Sequence, residues 1–278
     1  MRWLLLLATF GSLGYGAWWI NSTHPEVKTK VEKMVNVGTF HTLEVRYSAN
    51  QIMETHRKEL LKDNRHKYLD PELKFYPYLL LEVKYSVSPD KTAESVILWD
   101  LCDGEMVLET KAWQKTHGFG DCILANTDRH EFKVINALAK KGGACDRETL
   151  AKILHVENDL LDAWVDNLRR KKILVQAGNK YRLHLQDPRL KTVPETRLEE
   201  RLVTQPRYNA VRVSKRFSLS QIERIARAAF GSEFAIRHTN DVYLPVHCIV
   251  VQNPDGSIHK SHWNALNGKR IIYSHSLE

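Results

Sequence analysis

The chain has 278 residues, 43% hydrophobic and 27% charged, a composition that excludes disordered, collagen-like and multi-span membrane classes. Its 41 Lys and Arg against 33 Asp and Glu give a net charge of +8, which tolerates an acidic partner without requiring one. Four cysteines, at 102, 122, 145 and 248, contain no C-x-x-C pair, so zinc-ribbon and thioredoxin-type chemistry are excluded.

Trp3 to Ile20 is a run of 18 residues without a charge, closed by Trp18 and Trp19. At ~1.5 Å rise per residue it reaches ~27 Å, close to the ~30 Å hydrocarbon core of a bilayer. A retained transmembrane anchor over residues 1–24 is therefore expected. A cleaved signal peptide is the alternative, because only Arg2 precedes the apolar run, although no Ala-x-Ala site is present. Arg2 and the α-amino group oppose Lys28, Lys30 and Lys33, so charge counting leaves the orientation open. The expected location is a bacterial inner membrane, crossed once through residues 3–20, with the side of the soluble region undetermined.

A strand is predicted over 39–48 and a helix over 49–63. Long β-rich runs follow over 75–87 and 95–101, then the hairpin signal Asp103-Gly104 and a strand over 106–108. Residues 25–127 thus read as one small α+β module. From 128 the periodicity is helical, and three prolines (Pro188, Pro194, Pro206) mark a linker over 187–206.

The last 70 residues repeat the first module in order. Arg46-Tyr47-Ser48-Ala49-Asn50-Gln51-Ile52 lies over Arg216-Phe217-Ser218-Leu219-Ser220-Gln221-Ile222, and Phe75-Tyr76-Pro77-Tyr78 over Tyr243-Leu244-Pro245-Val246. Trp99-Asp100-Leu101-Cys102-Asp103-Gly104 then lies over Trp263-Asn264-Ala265-Leu266-Asn267-Gly268. The W-x-A-x-x-G ending and the helix-then-meander order resemble small modules of the PepSY type over roughly 50 residues per copy. That resemblance implies an extracytoplasmic binding or inhibitory module.

Within the central segment, Phe132, Ile135 and Leu138 share one helix face, Leu150, Ile153 and Leu154 a second helix, and Leu161, Val165 and Leu168 a third. Strands over 173–176 and 181–185 enclose a Gly178-Asn179 turn. The string LAKILHVENDLLDAWVDNLRRKKILVQAGNKYRL is similar to the winged helix-turn-helix superfamily, and that resemblance implies DNA binding through the third helix. The charges oppose that implication. Glu157, Asp159, Asp162 and Asp166 fall on the outward face, where a DNA reader would meet phosphates, and they suit a protein partner better. The candidate nucleic-acid contacts of the alternative are Arg169, Arg170, Lys171, Lys180 and Arg182.

No G-x-S-x-G, P-loop or cofactor motif occurs, so neither catalysis nor a cofactor is expected. His247-Cys248 and His259-x-x-His262 do not share one strand face and lack an acidic partner, so no metal site is expected. Trp99 and Trp263 read as core residues. Residues 207–278 carry ten Lys and Arg against five Asp and Glu, a basic surface. The expected fold class is α+β: an N-terminal transmembrane helix and two similar helix-plus-antiparallel-sheet modules (25–127 and 207–278) flanking a winged helix over 128–186. The expected function is a membrane-anchored, non-catalytic adaptor or assembly protein that contacts a protein partner through the winged helix. The alternative is a membrane-tethered DNA-binding transcriptional regulator.

Overall fold

A computed structural model describes residues 38–272 apart from 89, 186, 187, 191, 192 and 209. The anchor and signal-peptide expectations for residues 1–24 lie outside the described residues. No described helix is long and apolar enough to cross a membrane. The chain divides into two units, 1–40 with 204–209, and 41–203 with 210–278. In the first, Arg207 ties the described strands together, its backbone N–H donating to Gly38 O at 2.8 Å and its Nε to Thr39 O at 2.7 Å.

The first repeat supplies β1 (Thr39–Leu43), α1 (Ala49–Thr55), α2 (Arg57–Leu60), β2 (Lys67–Tyr68), β3 (Glu72–Ser88), β4 (Lys91–Asp100), β5 (Met106–Glu109) and β6 (Gln114–Lys115). The central segment supplies α3 (Phe119–Leu124), α4 (Arg129–Lys140), β7 (Ala144–Asp146), α5 (Arg147–Leu154), α6 (Asn158–Arg170), β8 (Leu174–Ala177) and β9 (Lys180–Leu183). After β10 (Leu202–Pro206), the second repeat supplies β11 (Val211–Arg212), α7 (Leu219–Phe230), β12 (Ala235–Gln252), β13 (Ile258–Asn264) and β14 (Arg270–Ile271).

The expected class of two separate α+β modules is overturned. The protein is mixed α/β, and both repeats enter one large mixed sheet whose path runs β1-β12-β3-β4-β5-β6, with β13 and β2 on β12 and β11 on β3. The physical reason lies in the long strands. Phe75 to Leu81 and Val242 to Val251 are buried without alternation, as only central strands with both faces covered can be. A two- or three-stranded module would have left them as open edges.

Strand exchange joins the copies. β1 of the first repeat pairs in parallel with β12 of the second (His41 with Val242, Thr42 with Tyr243). β11 of the second pairs in parallel with β3 of the first at the equivalent positions (Val211 with Lys74, Arg212 with Phe75). Both repeat prolines sit inside these long strands, where a missing N–H is normally costly. Pro77 falls where β3 changes partner from β11 to β4, and Pro245 falls where β12 changes from β1 to β13, so neither interrupts a ladder.

The turns after the tryptophans repeat bond for bond. Leu101 N donates to Pro77 O and Ala265 N to Pro245 O, each at 3.1 Å. Gly104 N donates to Asp100 O at 3.1 Å and Gly268 N to Asn264 O at 2.9 Å. Helices α1 and α7 begin with the same capping box, Ser48 with Gln51 and Ser218 with Gln221. They too are exchanged between copies. Ile52 of α1 packs with Ile249, Val251 and Trp263 of the second repeat, whereas Ile222 of α7 joins the core containing Leu79, Leu81 and Trp99 of the first.

The central segment shares that last core. Its short sheet has the order β7-β9-β8. Asp146 caps α5 by accepting from Thr149 N at 2.9 Å, and Asp128 caps α4 by accepting from His130 N and Glu131 N. Phe132 of α4 stacks on Phe119 at 5.6 Å, and Phe119 meets Trp99 edge-on at 5.0 Å, so one aromatic column runs from the sheet into the helices. Residues 193–200 are not free chain. Thr196 N donates to Val96 O at 2.7 Å and its Oγ1 donates to Val107 O at 2.5 Å, which lays the segment along β4 and β5.

Candidate functional site

The helical segment positions its charges through α6, whose Leu161, Val165 and Leu168 are buried and fix which face looks outward. Glu157, Asp159 and Asp166 are exposed on that face, with Leu160 between them at 47% exposure. Asp162 differs from the other three. Arg147 of α5 grips it with a fork, Nε donating to Oδ1 at 2.8 Å and the terminal nitrogen to Oδ2, and this holds the carboxyl below its usual range. Asp162 therefore locks α5 to α6, while Asp166 pairs with Arg169 on its own helix, at 3.2 Å.

The basic set divides in the same way. Arg169, Arg170, Lys180 and Arg182 are exposed, the first two at the end of α6 and the others on the β8–β9 hairpin. Lys171 turns inward. Its Nζ donates to Glu131 Oε2 at 2.6 Å and to Asn126 O at 2.9 Å, which neutralises a carboxylate whose side chain is 2% exposed. A DNA surface built on this segment would thus keep four of the five cations and would present Glu157, Asp159 and Asp166 beside them.

A buried ionic cluster leaves no motif in the sequence, because Lys115 reaches it from a different strand than Tyr78 and Asp100. Lys115 of β6 donates to Asp100 Oδ2 at 3.0 Å and also contacts Asp103, while Tyr78 OH donates to Asp100 Oδ2 at 2.5 Å. Burial, with the adjacent Asp100 charge, pushes the Asp103 carboxyl up to about 7. Burial opposes the Lys115 charge, but Asp100 and Asp103 outweigh it and hold the ammonium above its ordinary range. Glu105, also buried, accepts from Thr116 Oγ1 at 2.7 Å, Gly118 N at 2.8 Å and Gly120 N at 3.0 Å, and so caps α3, whose N-cap is a glycine without a side chain. All four carboxylate and ammonium groups are engaged in the fold, so the cluster is built to hold the turn rather than to meet a substrate.

The histidine and cysteine positions behave as strand residues. His247 Nε2 lies 2.9 Å from Tyr47 O, and burial lowers the pKa of both His247 and His262. No group of three or more His, Cys, Asp or Glu among the described residues is placed to hold a metal ion. Cys102, Cys122, Cys145 and Cys248 are free and buried, and burial pushes each thiol up, so the thiolate is disfavoured at all four. Trp99 and Trp263 are fully buried; the Trp99 indole donates to Gly104 O at 2.7 Å and the Trp263 indole to Ser261 Oγ at 2.8 Å.

A cleft of about 550 Å³ lies between the start of α4 and the end of α7, lined by Arg129, Arg224, Arg227, Lys171, Asp128 and Ser232 among others. Nothing in the sequence marks it, since its three arginines come from segments about a hundred residues apart. No family model, no curated protein and no solved structure matches the chain.

Proposed function

We propose that this chain is a non-catalytic adaptor or assembly protein, anchored in a membrane through residues 3–20, whose helical segment 128–186 acts as a winged-helix module that docks a basic protein partner. The observation that carries the reading is the outward face of α6. There Glu157, Asp159 and Asp166 are exposed along the same helix as Leu160, an apolar side chain 47% exposed, and Arg147 of α5, which feels the Asp159 charge, is already held in its fork with Asp162. An apolar centre within a charged rim is the composition of a docking patch. The same carboxylates disfavour a duplex, which makes the DNA-binding regulator the lesser reading.

The test is a photo-crosslinking residue at position 160 of the full chain in its host cells, with position 87, exposed on β3, as the control. The adaptor reading expects a discrete adduct from 160 that disappears with Asp159→Lys plus Asp166→Lys. No adduct above the control, or one indifferent to charge reversal, would sink it. A salt-dependent DNA shift lost in Arg169→Ala plus Arg170→Ala would put the regulator in its place.

A further inference from the structure

We propose that the arginine-lined cleft between α4 and α7 is a binding site for a phosphate monoester, with the dianionic phosphate held by Arg129, Arg224 and Arg227. Charge is the first reason. Lys171 is matched by Glu131, and Asp128 spends Oδ1 on the N–H groups of His130 and Glu131. Counting Asp128 against the three guanidinium groups leaves an excess of two positive charges, and none of the three has a carboxylate partner among the described residues. A phosphate monoester carries about −1.5 to −2 at pH 7 and closes that balance.

Helix physics supplies the second reason. Arg129 occupies the first position of α4, where the macrodipole is positive and disfavours a cation. Arg224 and Arg227 are three residues apart on α7, so two like charges share one face. Arg227, in the last turn of α7, is favoured by the macrodipole there, but the Arg129 position and the Arg224–Arg227 repulsion are not, and an anion between the three relieves both. Chemistry fixes the class. Guanidinium forks match the paired oxygens of phosphate, and the exposed Ser232 adds a hydroxyl donor at the same rim. The cleft volume of about 550 Å³ exceeds a bare phosphate, and Ala228 and Phe234 give it an apolar side for an organic body. The site lies at the C-terminal end of α6, away from the acidic face assigned to the protein partner, and does not depend on that assignment.

The experiment is calorimetric titration of the full chain, solubilised in mild detergent, with glycerol phosphate at low ionic strength. Saturable binding is expected, weakened at least about tenfold in Arg224→Gln plus Arg227→Gln and unchanged within about twofold in Lys58→Gln plus Lys62→Gln, which removes two exposed charges of the first repeat that do not line the cleft. A water-soluble short-chain phosphatidic acid, titrated the same way, tells a lipid headgroup from a free ester: tighter binding of the lipid, lost in the same double variant, assigns the phosphate to a lipid. No saturable binding of either probe overturns the site, and so does equal weakening in the two double variants. Matching circular dichroism spectra of all three proteins keep a folding defect from passing as lost affinity.

Discussion

Tyr76 and Leu244 face each other across β3 and β12, and the pairs on either side, Pro77 with Tyr243 and Phe75 with Pro245, are images of one another under the sequence repeat. The register is therefore two-fold symmetric about this pair. The same symmetry sets Phe217 over Gly104 and Tyr47 over Gly268, each aromatic ring filling the turn of the other copy.

That exchange predicts unequal costs at the two turn glycines. Gly104 has φ +82°, and a β-carbon there would lie 2.9 Å from both Phe217 Cε2 and Gly120 Cα; Gly268 has φ +69° and would meet the Tyr47 ring, Cδ1 coming nearest at 3.3 Å. Gly268→Ala should cost about 1 kcal/mol for its left-handed backbone, whereas Gly104→Ala, blocked by backbone as well, should cost about 3 kcal/mol. Urea denaturation of the two variants measures the difference, and equal losses would contradict the close packing at Gly104.

Interleaving also predicts that the first repeat cannot fold alone. A chain ending at residue 206 loses β11 and β12 from both edges of β3 and α7 from the core around Trp99. Such a fragment should show no near-ultraviolet circular dichroism and should aggregate, since β3 becomes a long apolar edge. A cooperative unfolding transition in the fragment would restore the two-module arrangement.

The Asp103 carboxyl gives the fold a pH dependence. Folded Asp103 keeps its proton up to about 7, whereas the unfolded group releases it near 3.8, so between these values the native state holds more proton and stability falls as pH rises. Burial of His247 and His262 acts in the opposite direction, since their lowered pKa removes stability on acidification below the ordinary histidine value of 6.5. Asp103→Asn retains the oxygen that accepts from Glu105 N at 3.0 Å and should be relatively more stable at pH 7 than at pH 5, compared with the parent. Denaturant midpoints at the two pH values test it, and an unchanged pH slope would remove Asp103 as a titrating group.

Lys171 and Arg170, neighbours in the basic run, should respond very differently. Lys171→Ala leaves Glu131 buried without its counter-charge and should cost about 2 kcal/mol or more. Arg170→Ala removes an exposed side chain bonded to Asn167 on its own helix and should stay within about 0.5 kcal/mol. Thermal unfolding of both variants decides whether the run is one surface or two.

Much of the local structure was legible. The turn glycines at 104 and 268 and the apolar faces Phe132-Ile135-Leu138 and Leu161-Val165-Leu168 lie where short-range rules put them, because turns and helical periodicity depend on neighbours within a few residues. The candidate acidic face was equally legible as a pattern on α6. That Asp162 and Lys171 are spent inside the fold was not, because Arg147 and Glu131 reach them across 15 and 40 residues.

The sequence by itself determined the repeat, down to the residues that occupy equivalent turns. Only the tertiary structure decided that the copies exchange their first strand and helix. Repeat similarity constrains which positions are alike, but not whether an equivalent strand pairs within its own copy or with the other. Here the decision falls to burial: Phe75 to Leu81 and Val242 to Val251 are apolar on both faces, and one shared sheet covers both as two small ones could not.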